Sequence, residues 1–236
     1  MVPTTKRHRR LNLSEARPSI DVRELPIYSV TEAAFYIGIP VSTLRAWTRG
    51  RRYKVGKKVH WFRPLIQPAD PATGRLSFAN VAEAHVLQAT RERSVPLSGV
   101  RDSLEYLRQQ VDSAHPLITQ EFFTHQKELF IKQLRIVNVS RFGQLALDFL
   151  DPYLDRLVRD KSGLPFRLFP MRANPERRVM LDLNIASGQP VLTGTGILAE
   201  VLYGRFKAGE STIELAADYG VDERTIEDAV RYVEAA

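Results

Sequence analysis

Apolar positions between residues 28 and 52 repeat with helical spacing in two short runs separated by a turn. Four of them recur at i, i+3, i+4 and i+7, the spacing of one buried helix face: Val30, Ala33, Ala34 and Ile37. Ser29 and Glu32 have the Ser-x-x-Glu form of a capping box, which satisfies free N–H groups at a helix start. Gly38 and Pro40 predict the end of this helix, because glycine accepts a left-handed cap and proline disfavours helix before it.

A second helix is predicted after Pro40, with Ser42 as its cap. Its inward side is apolar: Val41, Leu44 and Trp47. We expect Trp47 to anchor the helix as a buried aromatic residue. The outward side is small and cationic: Ser42, Thr43, Arg45, Ala46 and Arg49.

A cationic run continues past this helix, where Val55, Val59 and Trp61 alternate around Gly56 as in a short hairpin. A short helix of small residues fits the DNA major groove, about 12 Å wide, and Arg and Lys neutralise phosphates. An ordinary helical hairpin with a solvated basic face is the alternative, but the dense Arg and Lys cluster favours nucleic acid. The predicted DNA-binding residues are Ser42, Thr43, Arg45, Arg49, Arg51, Arg52, Lys54, Lys57 and Lys58.

Residues 28–110 resemble the N-terminal headpiece of the MerR family of bacterial regulators. The resemblance is carried by Tyr28-Ser-Val, Glu32-Ala33, Gly38-Ile39-Pro40, Thr43-Leu44-Arg45-x-Trp47 and Gly50. It implies a winged helix-turn-helix followed by two more helices. Apolar stripes predict those helices after residues 76 and 96, with His85 as a core histidine of the first.

The charge is unevenly distributed along the 236 residues. Residues 1–63 carry 14 Lys and Arg against 4 Asp and Glu, a net charge of +10. Residues 64–180 carry 16 against 13, and residues 181–236 carry 4 against 10, a net of −6. A basic head and an acidic tail suggest different partners for the two ends, although the acidic end can also serve solubility or pack on the head.

The absence of cysteine excludes disulfides, thiolate zinc sites and a cysteine nucleophile. The sequence contains no run of 18 apolar residues, so it predicts no membrane span. The cationic N-terminus lacks the apolar segment of an export signal. We therefore expect a cytoplasmic protein without membrane partners. The five histidines are scattered, and the glycines near residue 190 lack the Lys-Ser/Thr of a phosphate loop. We expect no enzyme, no cofactor and no metal site.

The middle of the chain is predicted to mix helices and strands. Bulky residues at 122–131 predict a small helix and then a strand, and residues 144–150 are predicted to be helical. Asp151 and Pro152 predict a further helix that carries Leu157 and Val158 and ends at Gly163. Two strands are expected at residues 166–169 and 179–185.

The last 50 residues are predicted as a turn-rich run followed by three helices, at 198–208, 211–219 and 222–234. Gly209 and Gly220 separate the helices, and Ser211 with Glu214 forms another capping box. Two helix faces are predicted to be buried: Leu198, Val201, Leu202 and Phe206, then Ile213, Leu215, Ala216 and Tyr219. The acidic side chains of the last helix are expected to face solvent.

Residues 187–233 resemble a small bacterial domain of unknown function found in VapB-type antitoxins. The shared elements are Gly188-Gln-Pro-Val191, Gly194-Thr195-x-Ile197, Phe206-x-Ala-Gly209, Glu214-Leu215-Ala216, Asp218-Tyr219 and Ile226-Glu227-x-Ala229-Val230. Gly196 stands where that family commonly has arginine, so no role of that arginine transfers to this chain. The turn residues are expected to contact a partner, as exposed loops often do: Gly188, Pro190, Gly194, Thr195 and Ile197.

The predicted fold class is mainly α with minor β (α+β). It comprises an N-terminal MerR-like winged helix-turn-helix, a small mixed α/β middle and a C-terminal three-helix, helix-turn-helix-like domain. The predicted divisions are a basic flexible arm (1–24), the DNA-binding domain (25–112), the middle region (113–186) and the antitoxin-associated domain (187–236).

The resemblances imply an antitoxin of a type II, VapBC-type operon that binds operator DNA as an autorepressing homodimer. Its other partner would be a PIN-domain ribonuclease toxin. VapB proteins usually have a short DNA-binding domain and a tail that folds on the toxin, and the long C-terminal half here departs from that scheme. Two alternatives remain open: a MerR-like regulator sensing a small apolar ligand between residues 122 and 169, and an adaptor without DNA function. We expect residues 1–112 alone to bind DNA and the remainder to bind the partner.

Overall fold

The computed structural model describes residues 21–56, 58–134, 148–172 and 174–235, and the fold is α+β, as predicted. Helices dominate, and the strands form a two-stranded hairpin and a four-stranded antiparallel sheet. None of the helices in these ranges is long and apolar enough to cross a membrane.

The head begins with helices α1 (Val30–Ile37) and α2 (Val41–Arg49), which form the predicted helix-turn-helix. Ser29 and Glu32 make both bonds of the capping box, and Gly38 ends α1 in the left-handed conformation. Ser42 is not the cap of α2, because the helix starts one residue earlier, directly after Pro40. The Pro40 ring cannot accept a capping hydrogen bond, and Ser42 is an exposed residue of the first turn.

A hairpin follows α2, as the alternation around Gly56 predicted. Strands β1 (Arg51–Val55) and β2 (Lys58–Phe62) pair antiparallel, from Arg51 opposite Phe62 to Val55 opposite Lys58. Gly56 in the connection has a φ of 60°, a conformation that favours glycine.

Helices α3 (Phe78–Glu92) and α4 (Leu97–Gln110) follow the hairpin. Every side chain of α3 from Phe78 to Thr90 is buried, because α3 packs against α1 on one side and against later segments of the chain on others. One continuous core therefore extends from Tyr28 to Leu181. A cut after residue 112 would divide that core, which argues against the predicted independence of residues 1–112.

The ordered structure also reaches into the segment that was predicted as a flexible arm. Val22–Glu24 form a 3-10 turn capped by Asp21, and Glu24 contacts His115. The rest of that predicted arm, residues 1–20, lies outside the described residues.

The middle region differs from its prediction at three points. Residues 122–133 are entirely helical: a π-helical turn, Phe122–Gln126, leads directly into α5 (Lys127–Gln133). The strand expected there is therefore absent as far as residue 134. Within the helix predicted at 144–150, residues 144–147 lie outside the described ranges and Asp148–Leu150 form a 3-10 turn. The helix predicted from Asp151 is one turn long, α6 (Asp151–Leu154), and its predicted continuation is a strand.

Helix α6 is short because the residues that follow it form the first strand of the four-stranded sheet. Its strands run in the order β3 (Leu157–Arg159), β4 (Pro165–Leu168), β5 (Val179–Asp182) and β6 (Pro190–Leu192). Gly163 closes the turn between β3 and β4, where its N–H donates to the Asp160 carbonyl, instead of ending a helix. Strand β6 lies in the run predicted to be only turns, and it pairs with β5 across the predicted boundary at residue 187.

The tail, residues 181–236, ends in three helices, α7 (Ala199–Lys207), α8 (Thr212–Tyr219) and α9 (Glu223–Glu234), with the predicted capping box at Ser211 and Glu214. Two residues expected in its core are exposed, Val201 by 46% and Ile213 by 65%, because the three helices pack through other faces. Tyr232 is buried instead, next to Ala229 on the inner face of α9.

Candidate nucleic-acid interface

Helix α2 presents a polar, cationic face to solvent and an apolar face to the core. Leu44 is fully buried and Trp47 is 2% exposed, whereas Ser42, Arg45 and Arg49 are exposed and Thr43 is half-buried. The Trp47 carbonyl also accepts backbone hydrogen bonds from the loop after β2, from the N–H of Leu65 at 2.7 Å and of Ile66 at 3.1 Å. The outer face is therefore held on a rigid support.

Arg45 and Arg49 border a shallow cleft of about 560 Å³ between α2, the start of α1 and the loop before α3. Arg49 lies so close to Gly74 that a Cβ there would be 3.4 Å from its Nη2 atom. No carboxylate in the described part of the chain pairs with Arg45 or Arg49. Both guanidinium groups therefore remain available for an anion such as phosphate.

Arg75 is a third cation of this cleft, and it was missed from the sequence. Its Nε donates to the Pro26 carbonyl at 2.8 Å and its Nη2 to the Ile27 carbonyl at 2.6 Å, which fixes the guanidinium. Arg75 follows the proline-rich loop, and only the folded path of that loop brings it beside Arg49. No local pattern could have predicted this neighbour.

The hairpin supplies the remaining predicted DNA-binding positions. Arg51, Arg52 and Lys54 lie on β1 and Lys58 on β2, whereas Lys57 lies outside the described residues. Arg52 is exposed and its register partner is Trp61, 55% exposed; Lys54 is paired with Val59, 60% exposed. Arg52 and Lys54 thus each lie opposite an exposed apolar residue of β2.

The predicted partner-binding turn divides into buried and accessible parts. Gly188 and Pro190 are buried, because Gly188 packs against Tyr28 and Pro190 begins β6, so neither forms the exposed contact that was predicted. Gly194 is exposed, with nothing within 4 Å of its Cβ position, and Thr195 and Ile197 are half-buried.

One acidic side chain of the last helix is buried rather than solvent-facing. Asp228 is 6% exposed and forms ion pairs with Arg178 at 3.0 Å and Arg231 at 2.7 Å. Arg178 also donates to Thr225 at 2.6 Å. This part of the tail's negative charge therefore stabilises the junction between α9 and the segment before β5.

The pKa values of two buried histidines are shifted in opposite directions by their surroundings. Burial, aided by Arg156, lowers the pKa of His85 to about 3, so the ring is neutral and its Nε2 donates to the Tyr153 carbonyl at 3.1 Å. Burial also opposes charge on His115, but hydrogen bonds with Glu24 and Glu83 raise its pKa to about 10. The distances from its ring nitrogens are 3.0 and 2.8 Å, and Glu83 is 2% exposed.

Phe122 and Phe130 are buried and pack edge to face, with ring centroids 5.7 Å apart. They fill the core of the region in which the alternative hypothesis placed a small apolar ligand. Across the described ranges, no group of three or more His, Asp or Glu residues is arranged to hold a metal ion.

Two family models match separate parts of the chain. Residues 26–104 match a family model described as "Putative DNA-binding HTH domain", and residues 179–233 match one described as "Protein of unknown function (DUF433)". The predicted helix-turn-helix and the C-terminal domain of unknown function are both confirmed.

The chain is homologous to two proteins of Mycobacterium tuberculosis. It is 28% identical over 230 residues to the protein named "Putative antitoxin VapB45", covering 90% of this chain and 95% of that protein. It is 27% identical over 219 residues to "Uncharacterized protein Rv2308", covering 87% and 89%. The crystal structure of Rv2018 from the same organism superimposes with a TM-score of 0.67 at 26% identity, covering 87% of this chain and 98% of that one.

Proposed function

We propose that this protein is the antitoxin of a type II toxin–antitoxin operon, which binds operator DNA and neutralises a PIN-domain ribonuclease. The observation that carries the DNA part is the pair Arg45 and Arg49, exposed on α2 without a carboxylate partner among the described residues and next to Arg75. Exposed arginines on a helix supported by a buried tryptophan suit phosphate contact at the edge of a major groove.

The two ends of the chain would serve different partners. The head carries the excess positive charge, and the tail carries a net charge of −6 over residues 181–236. DNA repels an acidic surface, so the tail is left for a protein partner. The relative named as a putative antitoxin matches over almost the whole chain, which supports an antitoxin role here.

The toxin-binding surface is proposed on the accessible part of the tail. It comprises the exposed turn around Gly194 and the outward apolar side chains Val201 on α7 and Ile213 on α8. Large apolar side chains that a fold leaves in water are candidates for a protein interface. Autorepression as a homodimer would follow from one head per half-site of a palindromic operator.

The toxin part is tested by co-expressing the full chain with the PIN nuclease encoded beside it and scoring growth. Ile213→Asp is expected to abolish rescue, because a buried charge at the interface is costly, whereas Ile213→Val should keep it. The full chain is used because the core does not divide at residue 112. Growth rescue by Ile213→Asp equal to that of the wild type would contradict the proposed surface, and no rescue by the wild type would contradict the toxin assignment.

The DNA part is tested separately with a reporter gene under the operon's own promoter. Arg45→Ala with Arg49→Ala should relieve repression while still rescuing growth. Arg224→Ala, an exposed arginine on the acidic tail, is the matched control and should repress normally. Repression retained by the Arg45 and Arg49 variant would contradict the assignment of α2 as the recognition helix.

A further inference from the structure

A second cleft, of about 420 Å³, lies between the head and the tail. Phe35 and Tyr36 of α1 form one wall, and Tyr203 of α7 and Tyr232 of α9 form the other. This volume is within the usual range for small-molecule sites, which are apolar clefts with a few polar groups.

The aromatic walls are held in place by contacts behind the cleft. The Tyr232 hydroxyl donates to the Tyr36 carbonyl at 2.6 Å, and the Tyr36 ring packs edge to face on Tyr28 with centroids 6.0 Å apart. Arg172 donates to the Phe35 carbonyl at 3.2 Å. The cleft is therefore largely preformed, so a ligand would not have to order it.

The charged groups that line the cleft are two carboxylates, Glu32 and Glu200, and none of the described lining residues is basic. Glu32 is held by the Ser29 N–H at 2.7 Å, and Glu200 has no hydrogen bond or ion pair within the described chain. Burial first, and then these two carboxylates, raise the pKa of Tyr36 to about 12, so both charges act on the cleft.

Aromatic rings around this cleft already attract cations of the chain itself. The Arg172 guanidinium lies 5.5 Å from the centroid of Phe35, and the Lys207 ammonium lies 6.0 Å from that of Tyr203. Positive charge is stabilised over an aromatic face by the ring quadrupole. The aromatic rings and the two carboxylates together favour a ligand that is both aromatic and positively charged.

We propose that this cleft binds a small organic cation, an aromatic ring that carries an ammonium group. The ring would pack between the tyrosines, and the ammonium would lie near Glu32 and Glu200. This site is separate from the arginine face on α2 and from the proposed toxin surface, so it stands whether or not the toxin assignment holds.

Tryptamine is a suitable probe, with indole-3-propionate as a partner of similar shape and opposite charge. Isothermal titration calorimetry on the full chain should show saturable one-to-one binding of tryptamine. Indole-3-propionate should bind at least about tenfold more weakly, since the opposite charge meets the same carboxylates. Equal affinity for the two compounds, or no saturable binding of tryptamine at millimolar concentration, would overturn the proposal.

Variants identify the cleft as the site. Glu200→Gln is expected to weaken tryptamine binding about tenfold without affecting folding, because Glu200 is exposed and unpaired in the described chain. Tyr203→Leu should weaken it while retaining apolar bulk. Glu227→Gln, an exposed carboxylate of α9 outside the cleft, is the control and should bind like the wild type. Unchanged binding by Glu200→Gln and Tyr203→Leu would overturn the assignment.

Discussion

The Tyr28 hydroxyl donates a 2.9 Å hydrogen bond to the Gly188 carbonyl, joining head and tail across 160 positions of sequence. Gly188 has a φ of +77°, and a Cβ at this position would lie 2.2 Å from the tyrosine oxygen. Both the backbone conformation and the close approach therefore require glycine.

Gly188→Ala should destabilise the protein by about 2–5 kcal/mol, the sum of left-handed strain and a steric clash. Gly194→Ala is the matched control, since Gly194 has a φ of +80° with nothing within 4 Å of its Cβ position. It should cost only the strain, about 1–2 kcal/mol. Denaturant unfolding of both variants measures the difference, and equal losses would contradict the steric requirement for glycine beside Tyr28.

The two tryptophans are predicted to respond differently to truncation. Trp47→Ala should lower the free energy of unfolding by about 3–5 kcal/mol, because Trp47 is 2% exposed on the inner face of α2. Trp61→Ala should change it by about 0.5 kcal/mol or less, because Trp61 is 55% exposed on the hairpin. Thermal melts of the two variants check this, and an unchanged melt for Trp47→Ala would contradict its role as the anchor of α2.

Features encoded by neighbouring residues were predicted from the sequence. The capping boxes at Ser29 and Ser211 and the helix ends at Gly38 and Gly220 need only contacts within a few residues. The hairpin around Gly56 is local in the same sense. At these positions the local sequence preferences agree with the overall fold.

Features that depend on distant partners were not predicted. Leu157 continued an apolar helical stripe, but pairing with Leu168 of β4 makes it a strand residue. Gly188 was expected in an exposed turn, and its burial depends on Tyr28. Ile213 matched the helical period of α8, yet the helices around it leave that position in solvent. Tertiary packing decides each of these cases.

The hydrogen bonds of His115 with Glu24 and Glu83 predict a pH-dependent contribution to stability. The pKa of His115 is raised from 6.5 to about 10, so the stabilisation is complete below pH 6.5 and is lost as the pH rises through about 10. His115→Ala should cost about 3–5 kcal/mol at neutral pH, because it leaves the Glu83 charge buried and unpaired.

The same variant should show a smaller decline of unfolding free energy between pH 6.5 and 10 than the wild type. His125→Ala removes an exposed histidine and should retain the full decline. Parallel pH profiles for wild type and His115→Ala would show that the buried pair is not charged as inferred.

His85 predicts a loss of stability in acid. Its pKa is lowered from 6.5 to about 3, so between these values the unfolded chain binds a proton that the folded chain excludes. The free energy of unfolding should therefore fall as the pH falls through this window. His85→Gln keeps a donor for the Tyr153 carbonyl but does not titrate, and it should lose less stability from pH 6.5 to 4 than the wild type. An acid profile identical to the wild type would contradict a neutral buried ring.

The central claim is that the outer face of α2 binds DNA through its phosphates. For the full chain on operator DNA, log K should fall linearly with log salt, with a slope of about −0.9 per phosphate contact and several units in all. Arg45→Ala and Arg49→Ala should each reduce the slope by about 1, because each removes one phosphate contact. Arg224→Ala on the tail should leave it unchanged.

This salt slope, determined by fluorescence anisotropy for the wild type and the three arginine variants, tests DNA binding by α2 most directly. We expect a steep slope that is lowered only by the two α2 variants. A slope near zero for the wild type, or an equal reduction by Arg224→Ala, would contradict it.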